Sequence, residues 1–193
     1  MTRQRAMTVV CLVAVMVAAM IASRTVMVPA QSQRVAVDTW APLRFMLGTW
    51  QTTSSGQPGN GTGRREYRLI LRDRFIEVKN TTTYPPQPKN LKGETHEDAG
   101  YISYDRSRKA FVFRQFHVEG FVNTYVSGPI EPKEVVFTSE SIENIPSGWR
   151  ARETYRIVSE NEMIEVFELA EPGKEYTVYS ETRLKKDTSS EDS

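Results

Sequence analysis

The sequence contains a single cysteine and two histidines in 193 residues. The cysteine, Cys11, lies in an amino-terminal leader, and a chain that begins after this leader has no thiol. Such a chain excludes a disulfide framework, a thiolate nucleophile and a cysteine metal site. The histidines, His96 and His117, are far apart in sequence and no cysteine accompanies them, so we expect no transition-metal site.

Recognisable catalytic motifs and a surplus of basic charge are also missing. There is no nucleophile elbow, P-loop, zinc-protease helix motif or dinucleotide fingerprint. The acidic residues are numerous, but no pair of them stands out for acid–base catalysis. Without the leader, which takes three arginines and no acid, 22 of the 25 basic residues remain against 24 acidic ones. A nucleic-acid partner needs a concentrated basic face, so we expect none.

Residues 1–30 have the three parts of a secretory signal peptide. Arginines precede an apolar run from Ala6 to Ala22, and small residues ending at Ala30 precede a polar stretch. We expect export, to the periplasm or out of the cell, with cleavage after Ala30 and Ala22 as the fallback site. The run is close to the length of a membrane anchor, about 20 residues, so an uncleaved anchor is the alternative. Cys11 is not preceded by the small residue that a lipidated cysteine requires, so we expect no lipoprotein. After cleavage of the leader we expect no membrane span.

Residues 31–186 predict a single all-β domain, and residues 187–193 predict a disordered polar tail. A short helix is expected over residues 35–47, with Pro42 in its first turn and Gly48 at its end. Strand-like runs separated by turn signals follow. These runs are 49–54, 64–71, 75–83, 100–104, 110–118, 121–127, 134–141, 149–158, 163–169 and 175–184. We expect a closed antiparallel barrel of roughly ten strands, because closure removes the edges that an open sheet would leave.

Aromatic and polar residues on these strands are candidate contacts for a ligand inside the barrel. Trp50 is expected on the barrel floor, and His96 in a long loop, residues 84–97, which is a candidate lid. Arg65 and Tyr67 share one strand face, which is either part of a ligand site or a solvated exterior. The candidate ligand-binding residues are Trp50, His96, Phe111, Phe113, His117, Tyr125 and Tyr179, and Phe121 is a further aromatic position.

Three stretches together resemble the nitrobindin-type heme-binding β-barrels, relatives of the lipocalins and fatty-acid-binding proteins in the calycin superfamily. Residues 41–50, Ala-Pro-Leu-Arg-Phe-Met-Leu-Gly-Thr-Trp, are similar to the opening of that family. Residues 96–101 are similar to its His-x-acid-x-Gly-aromatic stretch, and the run through Leu184-Lys185-Lys186 to its final strand. The resemblance covers roughly residues 42–186. It implies a ten-stranded calycin or lipocalin-like barrel that holds heme b through a last-strand histidine, isomerises peroxynitrite to nitrate and binds nitric oxide.

The sequence departs from that family at the iron ligand. No histidine follows His117, and the ligand position falls at or near Tyr179. A tyrosine phenolate can hold heme iron, but its pKa must be lowered from about 10, normally by a cationic neighbour such as Arg152 or Arg183. The family's repeated glycine after the tryptophan is also replaced, by residues 51–54. We therefore expect no metal ligand, except Tyr179 if heme is bound, and no histidine-ligated heme.

Three functions of different classes stay open. The first is an exported carrier or sensor of a small hydrophobic or amphipathic molecule, since a barrel interior can hold one ligand. The second is a heme-dependent peroxynitrite isomerase, which depends on the resemblance alone. The third is a barrel packed solid that serves as an interaction module through its long loop. We place the carrier first, and it requires no cofactor.

Overall fold

Ten antiparallel strands close into one barrel. The computed structural model of the protein describes residues 38–88 and 90–188. The strands are β1 (Gly48–Gly56), β2 (Gly61–Ile70), β3 (Phe75–Tyr84), β4 (Glu94–Asp105), β5 (Ala110–His117), β6 (Val122–Ser127), β7 (Glu134–Glu143), β8 (Arg150–Ser159), β9 (Glu162–Ala170) and β10 (Thr177–Lys186). Each strand pairs antiparallel with the next in sequence, and β10 pairs with β1 to close the barrel. The predicted closed, all-β, ten-stranded barrel is confirmed.

Some of the sequence predictions fall on residues that lie outside this description. The predicted signal peptide, residues 1–30, and residues 31–37 are among them, as are residues 189–193 of the predicted tail. The leader, its cleavage site and the disordered tail therefore stay predictions.

The predicted helix is a single short 3-10 helix within the described residues. It spans Ala41–Met46, with a proline in its first turn, and ends before Leu47, which is already extended. Proline suits a first turn because its missing N–H would have no helical partner there. In the part of the chain that the structure describes, no helix is long and apolar enough to cross a membrane.

The long loop between β3 and β4 is shorter than predicted, because β4 begins at Glu94. His96 pairs with Thr82 across the β3–β4 ladder, so the prediction that His96 lies in a loop is wrong. The polar stretch from Glu94 to Asp98 lacks the apolar alternation that marks a strand on an apolar core. Its alternate side chains face a polar interior instead, and sequence alternation alone does not reveal that case.

The 3-10 helix closes one end of the barrel. Leu43 and Met46 of the helix are buried against the barrel interior. The Trp40 indole Nε1 donates to the Asp73 carbonyl in the β2–β3 turn at 2.8 Å, and the Trp50 Nε1 donates to the Met46 carbonyl at 2.8 Å. These bonds satisfy both indole N–H groups where water is excluded.

The interior beside this closed end is packed with aromatic rings. The centroid of Phe113 lies 5.9 Å from that of Tyr125 and 5.8 Å from that of Phe137, and Phe137 lies 6.2 Å from Tyr155. Offset and edge-on pairs at these separations are favourable packing arrangements. The barrel is therefore solid in the half next to the helix, and any cavity must lie in the other half.

Candidate functional site

The open end of the barrel, opposite the 3-10 helix, encloses a cavity of about 640 Å³. The cavity is bordered by the strand ends remote from the helix. Its floor is polar, and its upper wall is mostly apolar. The floor side chains are Arg65, Asp98, Gln115, Asn123, Glu153 and Glu165. The upper wall includes Phe121, Ile142, Trp149, Phe167, Leu169 and Tyr179.

A buried ion pair spans the floor. Arg65 Nη1 lies 2.6 Å from Glu165 Oε2, and the two side chains are 8% and 7% exposed. The Arg65 guanidinium also donates to Asn80 Oδ1 at 3.2 Å. Burial is the largest single influence and opposes its charge, but Glu165, Tyr67, Tyr155 and Asp98 together outweigh burial and raise the pKa of Arg65. Arg65 and Tyr67 both face inward and are buried, so the solvated-exterior interpretation of this pair is wrong.

Asp98 is the second anchored charge of the floor. Its carboxylate accepts hydrogen bonds from Asn80 Nδ2 at 2.8 Å and from Gln115 Nε2 at 2.9 Å, and His96 Nε2 lies 3.4 Å from it. Burial raises the pKa of this carboxyl, but the bond to His96, the charge of Arg65 and the two amides lower it to about 2. Asp98 is therefore ionised at neutral pH.

Glu153 is the third acidic group of the floor and behaves differently. Burial and the nearby Glu165 raise the pKa of Glu153 to about 8, so its carboxyl is protonated at neutral pH. The Tyr155 hydroxyl donates to Glu153 Oε2 at 2.6 Å and lies 3.2 Å from Glu165 Oε1. The structure thus brings together two acids that sequence reasoning missed. Alternation along the strand could have identified Glu153 as an inward-facing residue, because it shares one strand face with Ala151 and Tyr155.

The two histidines meet on adjacent strands at one side of the cavity. The His96 and His117 ring centroids are 5.6 Å apart, because β4 and β5 pair with His117 opposite Asp98. His96 Nδ1 lies 2.8 Å from Glu119 Oε1. The hydrogen bond to Asp98, together with Glu119, raises the pKa of His96 to about 9. We expected no transition-metal site because the two histidines are far apart in sequence. The pairing of β4 with β5 brings them together, so that argument no longer holds.

His117 occupies a drier environment than His96. Its ring stacks on Phe121 with a centroid separation of 4.1 Å, and its Nε2 lies 3.2 Å from Asn123 Nδ2. Burial, with a contribution from His96, lowers the pKa of His117 to about 4. His117 is therefore neutral at pH 7. With Asn123 donating to Nε2, the ring proton is on Nδ1.

Three buried polar atoms at the cavity wall have no hydrogen-bond partner among the described residues. They are Gln115 Oε1, His117 Nδ1 and Asn123 Oδ1. Gln115 and Asn123 are register partners on β5 and β6, and His117 is two residues beyond Gln115. Since buried polar groups are nearly always paired in folded proteins, this patch suits a ligand that supplies the missing partners.

The predicted ligand-binding residues divide between the two halves of the barrel. His96, His117 and Tyr179 line the cavity, as does Phe121. The remaining four lie in the buried core and are not among the lining residues: Trp50, Phe111, Phe113 and Tyr125. Their side chains point into the barrel, as the alternation along each strand implies. They lie in the packed half next to the helix and not in the half that holds the cavity.

Tyr179 does not fit the role of an iron ligand. Burial, Glu94 and Glu119 raise the pKa of its phenol, whereas a phenolate ligand needs a lowered pKa. The two arginines proposed from sequence are occupied elsewhere, since Arg152 pairs with Glu168 and Arg183 with Glu162. Both histidines lie on β4 and β5, across the barrel from β10. The residues on the last strand therefore do not fit a heme-iron bond.

Comparison with known proteins supports the fold and goes no further. No protein-family model matches the sequence, and no curated protein matches it. The crystal structure of Rv2717c from M. tuberculosis is similar, with a TM-score of 0.59 and 15% identity over 77% of this chain and 97% of that one. A redesigned beta barrel, mFAP0, bound to DFHBI, aligns over 74% of this chain and 100% of that chain with 9% identity, and its TM-score of 0.38 is too low to carry an argument. At 15% identity the likeness to Rv2717c shows a shared barrel fold.

Proposed function

We propose that this protein binds a small amphipathic molecule inside the open half of its barrel. The observation that carries the proposal is the cavity of about 640 Å³, which has a polar floor, an apolar upper wall and unpaired polar atoms. Small-molecule sites have this size, with a few polar groups set in an apolar lining. The third alternative, a barrel packed solid, is not consistent with this cavity.

The floor favours a neutral or basic ligand that carries hydrogen-bond donors. Gln115 Oε1 is an acceptor, because its amide nitrogen is committed to the Asp98 carboxylate. Asn123 Oδ1 offers a second acceptor beside it. Arg65 is neutralised by Glu165, so no cation of the floor is free to hold a carboxylate. The cationic His96 is also committed, to Asp98 and Glu119, so a fatty-acid head group would meet these carboxylates without a free cation.

The upper wall suits the apolar part of the same ligand. Phe121, Phe167 and Tyr179 present aromatic surfaces, and Ile142 and Leu169 present aliphatic ones. Removing such surface from water contributes about 25 cal/mol per Å² of apolar area. A ligand that reaches from Gln115 to this wall would gain both specificity and affinity.

Export and membership of the nitrobindin-like group complete the proposal. Export is supported by the leader, with its basic start, apolar run and small residues before Gln31. Membership is supported by the order of the three similar stretches and by the shared barrel fold. Heme-dependent isomerisation of peroxynitrite is the less favoured alternative, because Tyr179 does not fit the iron ligand's role.

The test is extraction and mass spectrometry of small molecules that co-purify with the untagged protein, followed by titration with Nile red as a neutral probe. Ser180→Phe fills the cavity from β10, whereas Ser55→Phe, on the adjacent strand at the same height, points to solvent. We expect saturable binding that Ser180→Phe reduces at least tenfold and Ser55→Phe leaves unchanged. Equal binding in the two variants, or no saturable binding in the parent, would overturn the proposal.

A further inference from the structure

Three potential metal ligands converge on one side of the cavity mouth. His96 lies near the start of β4, His117 is the last residue of β5, and Glu119 lies in the turn that follows. One nitrogen from each imidazole and one carboxylate oxygen of Glu119 all lie within 4.8 Å of one another. The turn is held by the Gly120 N–H, which donates to the His117 carbonyl at 2.8 Å, and by Asn144 Nδ2, which donates to the Gly120 carbonyl at 2.8 Å.

His96 already has the supporting contact that metal-bound histidines show, and His117 can gain one from Asn123. His96 Nε2 lies 3.4 Å from Asp98 Oδ2, and Asp98 is itself held by two amides. His117 Nε2 lies 3.2 Å from Asn123 Nδ2, and both His117 Nδ1 and Asn123 Oδ1 are buried without a partner among the described residues. A metal on Nδ1 therefore requires the ring proton to move to Nε2 and the Asn123 amide to turn its oxygen towards that N–H. In metal sites the second ring nitrogen is usually bonded to a carboxylate or another polar group, which fixes the ring orientation.

We propose that His96, His117 and Glu119 form a binding site for a divalent transition-metal ion, with zinc as the best match. Two imidazoles and a carboxylate are a common zinc ligand set, with three protein ligands and one open position. Ligand atoms about 2.1 Å from a tetrahedral zinc ion lie about 3.4 Å apart, so separations of up to 4.8 Å need an adjustment of up to about 1.4 Å. The Glu119 side chain is half-exposed and has room to move, and the two imidazoles must supply the remainder.

All three ligands line the cavity, so an ion bound to them would lie at its edge. A bound ion would thus place a Lewis acid at the edge of the small-molecule site, where a water molecule or a donor atom of the ligand completes its coordination. The site itself does not depend on the proposed ligand. Its test therefore uses the metal alone.

The experiment is calorimetric titration of zinc into untagged, chelator-treated protein, with cobalt(II) absorption as a second readout of coordination. We expect one zinc ion per chain, visible cobalt bands typical of four or five ligands, and no binding of Mg²⁺ or Ca²⁺ at the same concentrations, because those ions prefer all-oxygen sites. Zinc is also expected to raise the melting temperature of the parent protein.

Three variants locate the site. Glu119→Gln and His117→Gln should each weaken zinc binding at least tenfold and abolish the cobalt bands. Glu97→Gln is the matched control, because Glu97 adjoins His96 in the chain but is exposed. Glu119 is itself half-exposed, so its substitution keeps the test independent of folding. No zinc binding by the parent, or equal binding by the parent and Glu119→Gln, would overturn the proposal.

Discussion

Arg65 on β2 and Glu165 on β9 form a buried ion pair at 2.6 Å, although β1 and β10 separate their strands around the barrel. The ion pair therefore spans the barrel interior and does not connect neighbouring strands of the sheet. Each charge has been removed from water, which costs several kcal/mol per ion and is offset only while the partner is present. The pair marks the level at which the packed half of the barrel gives way to the cavity.

Breaking this pair should destabilise the fold strongly. We expect Arg65→Met to lower the free energy of unfolding by about 3–5 kcal/mol, because Glu165 is left as an unpaired buried charge. The double variant Arg65→Met with Glu165→Leu should recover most of that loss. Urea denaturation measures the free energy of unfolding of the single and the double variant.

The matched control for the ion pair is Arg156→Met. Arg156 pairs with Glu134 at 2.7 Å, but both side chains are exposed. An exposed ion pair is worth less than about 1 kcal/mol. A loss in Arg65→Met no larger than that in Arg156→Met would contradict the proposed role of the buried pair.

Glu153 should make stability fall as pH rises. Its folded pKa is raised to about 8 from 4.5, so between these values the folded state keeps a proton that the unfolded state has released. Its contribution to stability is therefore full below about pH 4.5 and is lost as pH rises towards 8, at up to about 1.4 kcal/mol per unit. His96 and His117 also contribute to the pH dependence between pH 5 and pH 8, so Glu153→Gln should remove only the part of the slope that Glu153 supplies. Urea denaturation over this range measures the slope, and Glu97→Gln should leave it unchanged. If the pH dependence of stability in Glu153→Gln equalled that of the parent, the raised pKa of Glu153 would be refuted.

The two histidines should titrate far apart despite their proximity. We expect imidazole NMR signals of His96 to titrate near pH 9 and those of His117 near pH 4. His96 faces Asp98 and Glu119, so its stabilising contribution is present below about pH 6.5 and is lost as pH rises through 9. Glu119→Gln should lower the pKa of His96, and Glu97→Gln should not. Two histidines that titrate together near pH 6.5 would contradict this arrangement.

The barrel could be predicted from the sequence because the patterns that indicate it are local. Turn residues, strand alternation and the Gly48–Trp50 start each depend on neighbours in the chain, and the strand bounds follow within a few residues apart from the start of β4. The charged floor was missed for the opposite reason. Arg65, Glu153 and Glu165 alternate on strands as exterior residues usually do, and only the closed ring turns them towards each other.

The meeting of His96 with Glu119 was also beyond local reasoning. It depends on the register of β4 against β5, which sets Asp98 opposite His117 and so places His96 one inward position further along. A polar stretch such as that from Glu94 to Asp98 is interpreted as a loop when an apolar core is assumed. Once alternate positions face a polar cavity, the same stretch is a regular strand.

The proposed export predicts a defined amino terminus for the mature chain. Intact-mass analysis of protein recovered from the periplasm or medium should show a chain that begins at Gln31, because Ala30 ends the small-residue cleavage motif. A chain that begins after Ala22 would indicate the fallback site. Recovery of the protein solely with Met1 or Thr2 at its terminus would contradict cleavage and favour the anchor interpretation.

Heme should not bind through the last strand. Burial and two nearby acids raise the pKa of Tyr179, and each unit above neutral pH costs about 1.4 kcal/mol of phenolate formation. Heme titration should therefore give the same weak binding in the parent and in Tyr179→Phe, without a ferric tyrosinate spectrum. Tyr176→Phe is the matched control, because Tyr176 is in contact with Arg150 and Arg152 and is not among the residues that line the cavity. Tight binding with a tyrosinate spectrum that Tyr179→Phe alone removes would restore the heme function, because an iron bond would then have overcome the acidic surroundings of this phenol.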